Sequence, residues 1–133
     1  MSSIPAVVLA LQATLPLDTL ARGPDSGIAQ PRQVVVRSIE AWQALWKDHA
    51  SGAPPAVDFS HSMVLGVFLG SRPTAGYDVE IVRVRRTGSG LVAEYIERRP
   101  APGALTAQVL TAPYHLVRVA RAEGPVEFVR LGR

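Results

Sequence analysis

Side chains that could do catalytic or metal chemistry are few in this 133-residue sequence, and they lie far apart. The chain has no cysteine, which excludes a thiolate nucleophile, a cysteine-based zinc site and an iron–sulfur cluster. His49, His61 and His115 lack the H-x-x-x-H spacing of a helical metal site. The sequence therefore predicts no metal site and no cofactor.

No motif points to hydrolysis or nucleotide chemistry. The segment 88–90, Gly-Ser-Gly, lacks the flanking spacing of a nucleophile elbow and is expected on a hairpin turn. Asp78 and Glu80 share a strand face and could act as a carboxylate pair. Ion pairing of these residues with Arg83 or Arg85 is the simpler expectation. We therefore expect a protein that is not an enzyme. A Ser-His-Asp site assembled from distant residues is the alternative that the sequence leaves open.

The basic composition suggests a nucleic-acid binder, which is a second alternative. The formal net charge is +3, and all but one of the 14 basic residues are arginine. However, acidic residues are interspersed with the basic ones, and aromatic residues make up only 6% of the chain. Few aromatics leave little to stack on bases, so the composition argues against nucleic acid as the partner.

What remains is a loop with a preset shape. Residues 71–77, Ser-Arg-Pro-Thr-Ala-Gly-Tyr, lie between two predicted strands. Pro73 fixes one φ angle, Gly76 permits a positive φ, and the hydroxyl of Thr74 can bond to nearby backbone. A stiff loop loses little entropy on binding, which suits protein recognition.

The elements that must position this loop follow from the spacing of apolar residues. Segments 6–13 and 15–21 are predicted strands separated at Pro16, because proline cannot donate to a ladder. Segment 33–37 is a β-branched strand. The segment 38–50 is a helix capped by a serine, with one apolar stripe facing inward. That stripe consists of Ile39, Trp42, Leu45, Trp46 and His49.

The second half of the chain reads as strands and turns. Segment 63–69 is apolar on both faces, which predicts a central, covered strand. Segments 77–86 and 91–95 form a hairpin, and a switch in apolar parity predicts a β-bulge near Ile81–Val82. The remaining predictions are a loop at 98–106, a short strand at 108–111, and a final strand pair, 116–119 and 126–129, joined by a turn at 123–125.

The apolar run at residues 4–13 is too short to span a bilayer. No lysine or arginine precedes it, unlike the start of a secretory signal. We expect it to form a buried strand. A cysteine-free domain is stable in any redox compartment, so the composition assigns no localisation.

Several segments in order carry a family resemblance over residues 17–130. They are Trp42 and Trp46, Val57–Ser60, Met63–Gly70, Arg72–Tyr77, Tyr95 with Glu97 and Pro100, and Val109–Tyr114. Together they resemble the family described as the C-terminal domain of the protease complex subunit PrcB. Ala75 stands where the family pattern has a second glycine. The resemblance implies a subunit beside a protease, without catalysis of its own, and suggests an exported or periplasmic protein. The chain has no lipid-acceptor cysteine, so anchoring is not implied.

A local resemblance gives a further alternative. Residues 72–77, Arg-Pro-Thr-Ala-Gly-Tyr, are similar to the N-P-T-T-G-Y loop of chagasin-like cysteine peptidase inhibitors. Those inhibitors are β-sandwiches that insert such loops into protease clefts. The similarity implies an inhibitor that would use this loop, with Arg99-Pro100 as a partial echo of a second inhibitor motif.

Taken together, the sequence predicts a single α+β domain over residues 1–133. The expected fold is a mostly antiparallel β-sandwich or half-open barrel with one amphipathic helix packed on it. The expected function is a protein-binding accessory module that stabilises a protease complex or assists its maturation; a structural homodimer joined at a sheet edge is the remaining alternative. The predicted partner-binding residues are Arg72, Pro73, Thr74, Gly76, Tyr77, Arg99, Pro100, Pro102, Thr111, Pro113 and Tyr114.

Overall fold

A computed structural model describes residues 14–132, so the strand predicted at 6–13 lies outside the described residues. One helix and eight strands follow in chain order. They are β1 (Thr14–Leu15), β2 (Asp18–Gly23), β3 (Arg32–Val36), α1 (Ile39–His49), β4 (Ser62–Phe68), β5 (Asp78–Arg86), β6 (Leu91–Arg98), β7 (Tyr114–Ala120) and β8 (Val126–Arg130).

The strands form two four-stranded sheets. The first has the order β1-β5-β6-β8, and the second has the order β2-β7-β4-β3. Every pairing is antiparallel except that between β6 and β8. The sheets do not close into a barrel, so the fold is an α+β sandwich, as the sequence predicts. The helix packs on the outer face of the second sheet.

β4 is covered on both faces, which confirms its predicted central position. Met63, Leu65 and Val67 point into the core between the two sheets. Val64 and Phe68 point the other way, into a second core beneath the helix. Because every second side chain faces the same side of a strand, an apolar run without alternation is what burial on both faces requires.

The helix begins and ends as the sequence predicts. The Ser38 hydroxyl accepts a hydrogen bond from the Ala41 amide at 3.1 Å, which satisfies one of the otherwise unpaired first-turn donors. Trp42 is fully buried, and its indole N–H donates to the Pro55 carbonyl at 2.9 Å. One member of the predicted stripe is wrong: Ile39 is 44% exposed, because it is the first helical residue and lies beyond the edge of the core.

The hairpin of β5 and β6 is confirmed, including its bulge. The register shifts between Ile81 and Arg83, which leaves the extra residue, Val82, exposed on the outside. The predicted final strand pair is wrong. β7 pairs with β2 and β4 in one sheet, whereas β8 crosses to the other sheet and pairs parallel to β6. The predicted strand at 108–111 is also wrong, since only an isolated bridge at Thr111 forms there.

A buried histidine joins the two sheets at this bulge. His115 of β7 accepts the backbone N–H of Ile81 at its Nδ1 atom, at 2.8 Å. An N–H donor requires an unprotonated acceptor, so Nδ1 carries no proton and Nε2–H donates to the Thr19 hydroxyl at 2.8 Å. Burial, reinforced by the charge of Arg22 against weaker opposing effects of Glu80 and Asp78, lowers the pKa of His115 from 6.5 to about 4.

This geometry predicts acid sensitivity. The unfolded chain takes up a proton on His115 below pH 6.5, whereas the folded chain does so only near pH 4. The stability due to the neutral ring is therefore complete above pH 6.5 and is lost as the pH falls to about 4, amounting to about 3 kcal/mol. We expect His115→Asn, which keeps an acceptor for Ile81, to flatten the dependence of urea-unfolding free energy on pH across this window. Parallel curves for the two proteins would contradict the assignment.

The segment after β2 lies directly against the end of the helix, which gives a second prediction. The Gly27 amide donates to the His49 carbonyl at 2.7 Å, and a Cβ at position 27 would lie 2.7 Å from the Asp48 carbonyl oxygen. We expect Gly27→Ala to lower the free energy of unfolding by about 1–3 kcal/mol through overpacking. Gly88→Ala is the matched control, because a Cβ at position 88 meets nothing within 4 Å. Equal chemical-denaturation midpoints for the two variants would refute this packing argument.

Candidate functional site

Two loops lie side by side at one end of the sandwich. We call them the two-loop surface, residues 71–76 and 99–110. Arg72 of the short loop and Thr111, which follows the long loop, exchange two backbone hydrogen bonds, at 2.7 and 3.0 Å. The Thr111 hydroxyl donates to the Thr74 carbonyl at 2.9 Å, and the Ala75 amide donates to the Ala107 carbonyl at 3.1 Å. The short loop thus supports the long loop by directional bonds, although neither contains a regular element.

Glycine is needed at one position in this contact. Gly76 has a φ of +97°, a left-handed conformation that side-chain-bearing residues rarely adopt. A Cβ there would also lie 2.8 Å from Cγ of Pro100 and 3.2 Å from Cγ2 of Thr106. The glycine predicted from turn chemistry is therefore required by close packing between the loops as well as by its backbone angle.

Arg72 is directed into the structure. One guanidinium nitrogen, Nη1, donates to the Leu69 carbonyl at 2.9 Å, and Nη2 pairs with the Glu97 carboxylate at 3.1 Å. The Glu97 side chain is only 10% exposed. Since β4 and β6 belong to different sheets, this ion pair joins the end of one sheet to the other. Tyr77 lies alongside, with its ring centre 5.9 Å from Cζ of Arg72.

The predicted partner-binding residues do not share one exposure. Thr111 and Pro113 are buried, so they act on the surface only by shaping it. Tyr114 is half-buried, and its ring packs against His49 with centres 4.2 Å apart, on the helix side of the second sheet. Of the predicted residues, Pro73, Gly76, Arg99 and Pro102 are exposed on the two-loop surface. Arg72, Thr74 and Pro100 on that surface, and the adjoining Tyr77, are half-buried.

The most exposed large apolar side chains were missed by the sequence analysis. Leu105 is fully exposed, Leu110 is 79% exposed and Val109 is 52% exposed, all on the longer loop. The prediction of a strand at 108–111 left the exposure of Val109 and Leu110 unrecognised. The proximity of these aliphatic residues to Pro100, Pro102 and Gly103 could have indicated their exposure. Proline and glycine disfavour a strand, and without a strand these side chains have no sheet face on which to be buried.

The cleft beside this surface contains a serine–histidine pair of the kind that catalytic sites use. The Ser26 hydroxyl and His49 Nδ1 lie 2.8 Å apart, and Asp25 and Leu110 line the same cleft. Burial lowers the pKa of His49, which favours its neutral ring. Among the described residues, no carboxylate is bonded to this histidine.

The backbone donors around Ser26 are already engaged. The Ser26 amide donates to the Ala112 carbonyl, the Gly27 amide to the His49 carbonyl, and the Ile28 amide to the Ser26 hydroxyl itself. An oxyanion site needs backbone donors directed at a reacting atom, and these three amides are directed elsewhere. These bonds connect the end of the helix to the segments that flank the second sheet.

A Ser-His-Asp set lies on the surface. Asp58 accepts from the Ser60 hydroxyl at 2.6 Å and lies 2.8 Å from His61 Nδ1. Hydrogen bonds from Ser60, then from His61, lower the pKa of Asp58 to about 2. These short-range bonds form one turn before β4, with the side chains of Asp58 and His61 largely in solvent. Within residues 14–132, no group of three or more His, Asp or Glu side chains is placed to hold a metal ion.

The carboxylates of β5 have other partners than the sequence suggests. Asp78 and Glu80 pair with Arg22 and Arg98, at distances from 2.7 to 3.7 Å. The predicted partners, Arg83 and Arg85, pair with Glu94 of β6 instead. The bulge after Ile81 explains the exchange, because it changes which side chains meet across the strand pair.

The fold and this surface define a β-sandwich domain with one covering helix and a paired-loop end. Residues 63–120 match the model of the family described as PrcB C-terminal, which confirms the resemblance over that segment. The match includes β4 to β7 and both loops, whereas Trp42, Trp46 and Val57–Ser60 lie outside it. Neither a curated protein nor a solved structure gave a match. The described part of the chain contains no helix with the length and apolarity to cross a membrane.

The position of Arg72 predicts a structural effect. We expect Arg72→Ala to lower the free energy of unfolding by about 1–3 kcal/mol, because Glu97 and the Leu69 carbonyl lose a donor. It should also speed hydrogen exchange at the Ala75 amide, measured by NMR. Arg99→Ala, which removes an exposed arginine from the same surface, should change stability by no more than about 0.5 kcal/mol. If both variants unfold alike, Arg72 does not hold the loops.

Proposed function

We propose that this domain is a non-enzymatic accessory module that binds a protein partner through the two-loop surface. The observation that carries the proposal is the exposure of Leu105, Val109 and Leu110 on one loop. Single exposed aliphatic residues are ordinary, but three on one loop beside Pro73 and Pro102 make an apolar area that a partner can cover.

The energetics suit binding. Burying one leucine side chain contributes about 1.5–3 kcal/mol, so Leu105 and Leu110 together offer a substantial share of the free energy of a micromolar complex, about 8 kcal/mol. The bonds from Thr111, Ala75 and Arg72 already fix the loop backbones. Loops that are ordered before binding lose less conformational entropy on association.

The family match supports the choice of partner. A resemblance to the protease complex subunit PrcB favours a protease, which the domain would stabilise or help to mature. The matched segment, 63–120, contains the whole two-loop surface. The engaged amides around Ser26 are consistent with a role that does not involve catalysis by this chain.

The test compares two double variants. We expect Leu105→Ser with Leu110→Ser to weaken partner binding at least tenfold, because two apolar contacts are lost. Ile39→Ser with Val82→Ser is the matched control, since it removes two exposed aliphatic side chains from other faces. The partner is first identified by affinity capture with the wild-type domain and then purified, and direct binding is measured by calorimetry.

Two readouts decide the outcome. Equal affinity for the loop variant and the control would show that the two-loop surface is not the contact. If the partner is a protease, its peptidase activity and half-life are measured with and without the domain. A longer half-life is the expected result for an accessory subunit, whereas loss of activity would indicate the inhibitor that the 72–77 similarity suggests.

A further inference from the structure

A cleft of about 430 Å³ opens between the two sheets beside the two-loop surface. It lies between β3 and β8, which are edge strands of different sheets. Its walls carry the side chains of Arg32, Arg72 and Arg130. We call this space the arginine cleft. Across it, the Gln33 side-chain amide donates to the Tyr95 hydroxyl at 3.3 Å.

Most guanidinium donors in the arginine cleft are not used by the fold. Each guanidinium has five N–H donors. Among the described residues, Arg72 uses three, to the carbonyls of Leu69 and Ser71 and to Glu97. Arg32 uses one, to Asp48, and Arg130 uses one, to Glu97. The three side chains are 41%, 25% and 45% exposed for Arg32, Arg72 and Arg130, so solvent or a ligand reaches them.

Glu97 holds part of this arrangement in place. Its carboxylate accepts from Arg72 at 3.1 Å and from Arg130 at 3.4 Å. One carboxylate shared by two guanidinium groups leaves that group of three side chains with a net positive charge, whereas the charge of Arg32 is balanced by Asp48. Positive groups that are fixed before binding attract an anion without a further ordering cost.

We infer that the arginine cleft binds a carboxylate presented by an acidic peptide segment of the protein partner. This inference rests on the proposed function and names the chemistry of the partner. Arginine forks match the two oxygens of a carboxylate, and Gln33 and Tyr95, which also line the cleft, carry polar groups that suit the backbone of a peptide. The source is an Asp or Glu side chain or a chain terminus.

Nucleic acid fits this cleft less well than a peptide does. Phosphate is also a ligand of arginine, so inorganic phosphate is included in the test as a competing anion. Of the lining residues, only Phe68, which is buried, and Tyr95 are aromatic, so the cleft offers bases little to stack on. The three arginines line one short cleft, whereas a strand of nucleic acid is bound along an extended basic groove.

The experiment uses NMR titration of the whole chain with short blocked peptides. One pentaalanine-based peptide carries a central glutamate and an amidated end, a second carries only a free C-terminal carboxylate, and a third carries neither. We expect the first or the second to shift the guanidinium Nε–H signals of Arg32 and Arg130, and the third to leave them unchanged. Arg32→Gln with Arg130→Gln should weaken binding by about tenfold or more.

The matched control is Arg86→Gln with Arg118→Gln, which removes the same charge from residues that do not line the cleft. It should bind the peptides as the wild type does. If both double variants lose the same affinity for the peptides, the loss is due to net charge alone and the proposed site is wrong. Inorganic phosphate or a single-stranded oligothymidylate that binds as tightly as the carboxylate peptides would overturn the ligand class.

The same variants separate this inference from the proposed function. If the purified partner loses affinity for both the Leu105/Leu110 variant and the Arg32/Arg130 variant, both are supported. If only the leucine variant is affected, the domain still binds through its loops and the arginine cleft is not part of the contact. Carboxylate binding at the cleft by a domain whose loop variant keeps full partner affinity would support the site and remove the loop proposal.

Discussion

The ion pair between Arg72 and Glu97 is the interaction on which the two-loop end of this molecule depends. The apolar core between the sheets is large but has no direction, so it fixes how close the sheets lie better than how their ends align. Arg72 follows β4 in one sheet, and Glu97 lies in β6 of the other. The geometry of the ion pair therefore sets where the loops after β4 and β6 meet. His115 aligns the two sheets in a similar way at the bulge of β5.

The two loops are held together by hydrogen bonds next to that ion pair. Thr111 bonds to the backbone of Arg72, and its hydroxyl bonds to Thr74, so the far end of the long loop is fixed to the short one. Between Arg98 and Thr111 the chain forms no strand or helix, yet its start packs against Gly76. Leu105 and Leu110 on this segment lie in solvent, outside both apolar cores of the described residues.

The sequence predicted what depends on local pattern and failed where distant partners decide. Burial of β4 on both faces, the cap at Ser38 and the bulge near Ile81 follow from periodicity and side-chain chemistry within a few residues. The parallel pairing of β8 with β6 is non-local, and a turn at 123–125 is equally compatible with a hairpin or a crossover. The ion pair of Arg72 is likewise non-local: its partner Glu97 lies 25 residues away, so no pattern near Arg72 indicates it.

The two surfaces at this end are connected through a single residue. The backbone of Arg72 belongs to the two-loop surface, while its guanidinium lines the arginine cleft. An anion in the cleft would compete with Glu97 for that guanidinium, or would strengthen its position by completing its unused donors. Either effect would act on the loops through Arg72, whose backbone bonds to Thr111. Such coupling would run through bonds that already exist and would require no movement of the sheets.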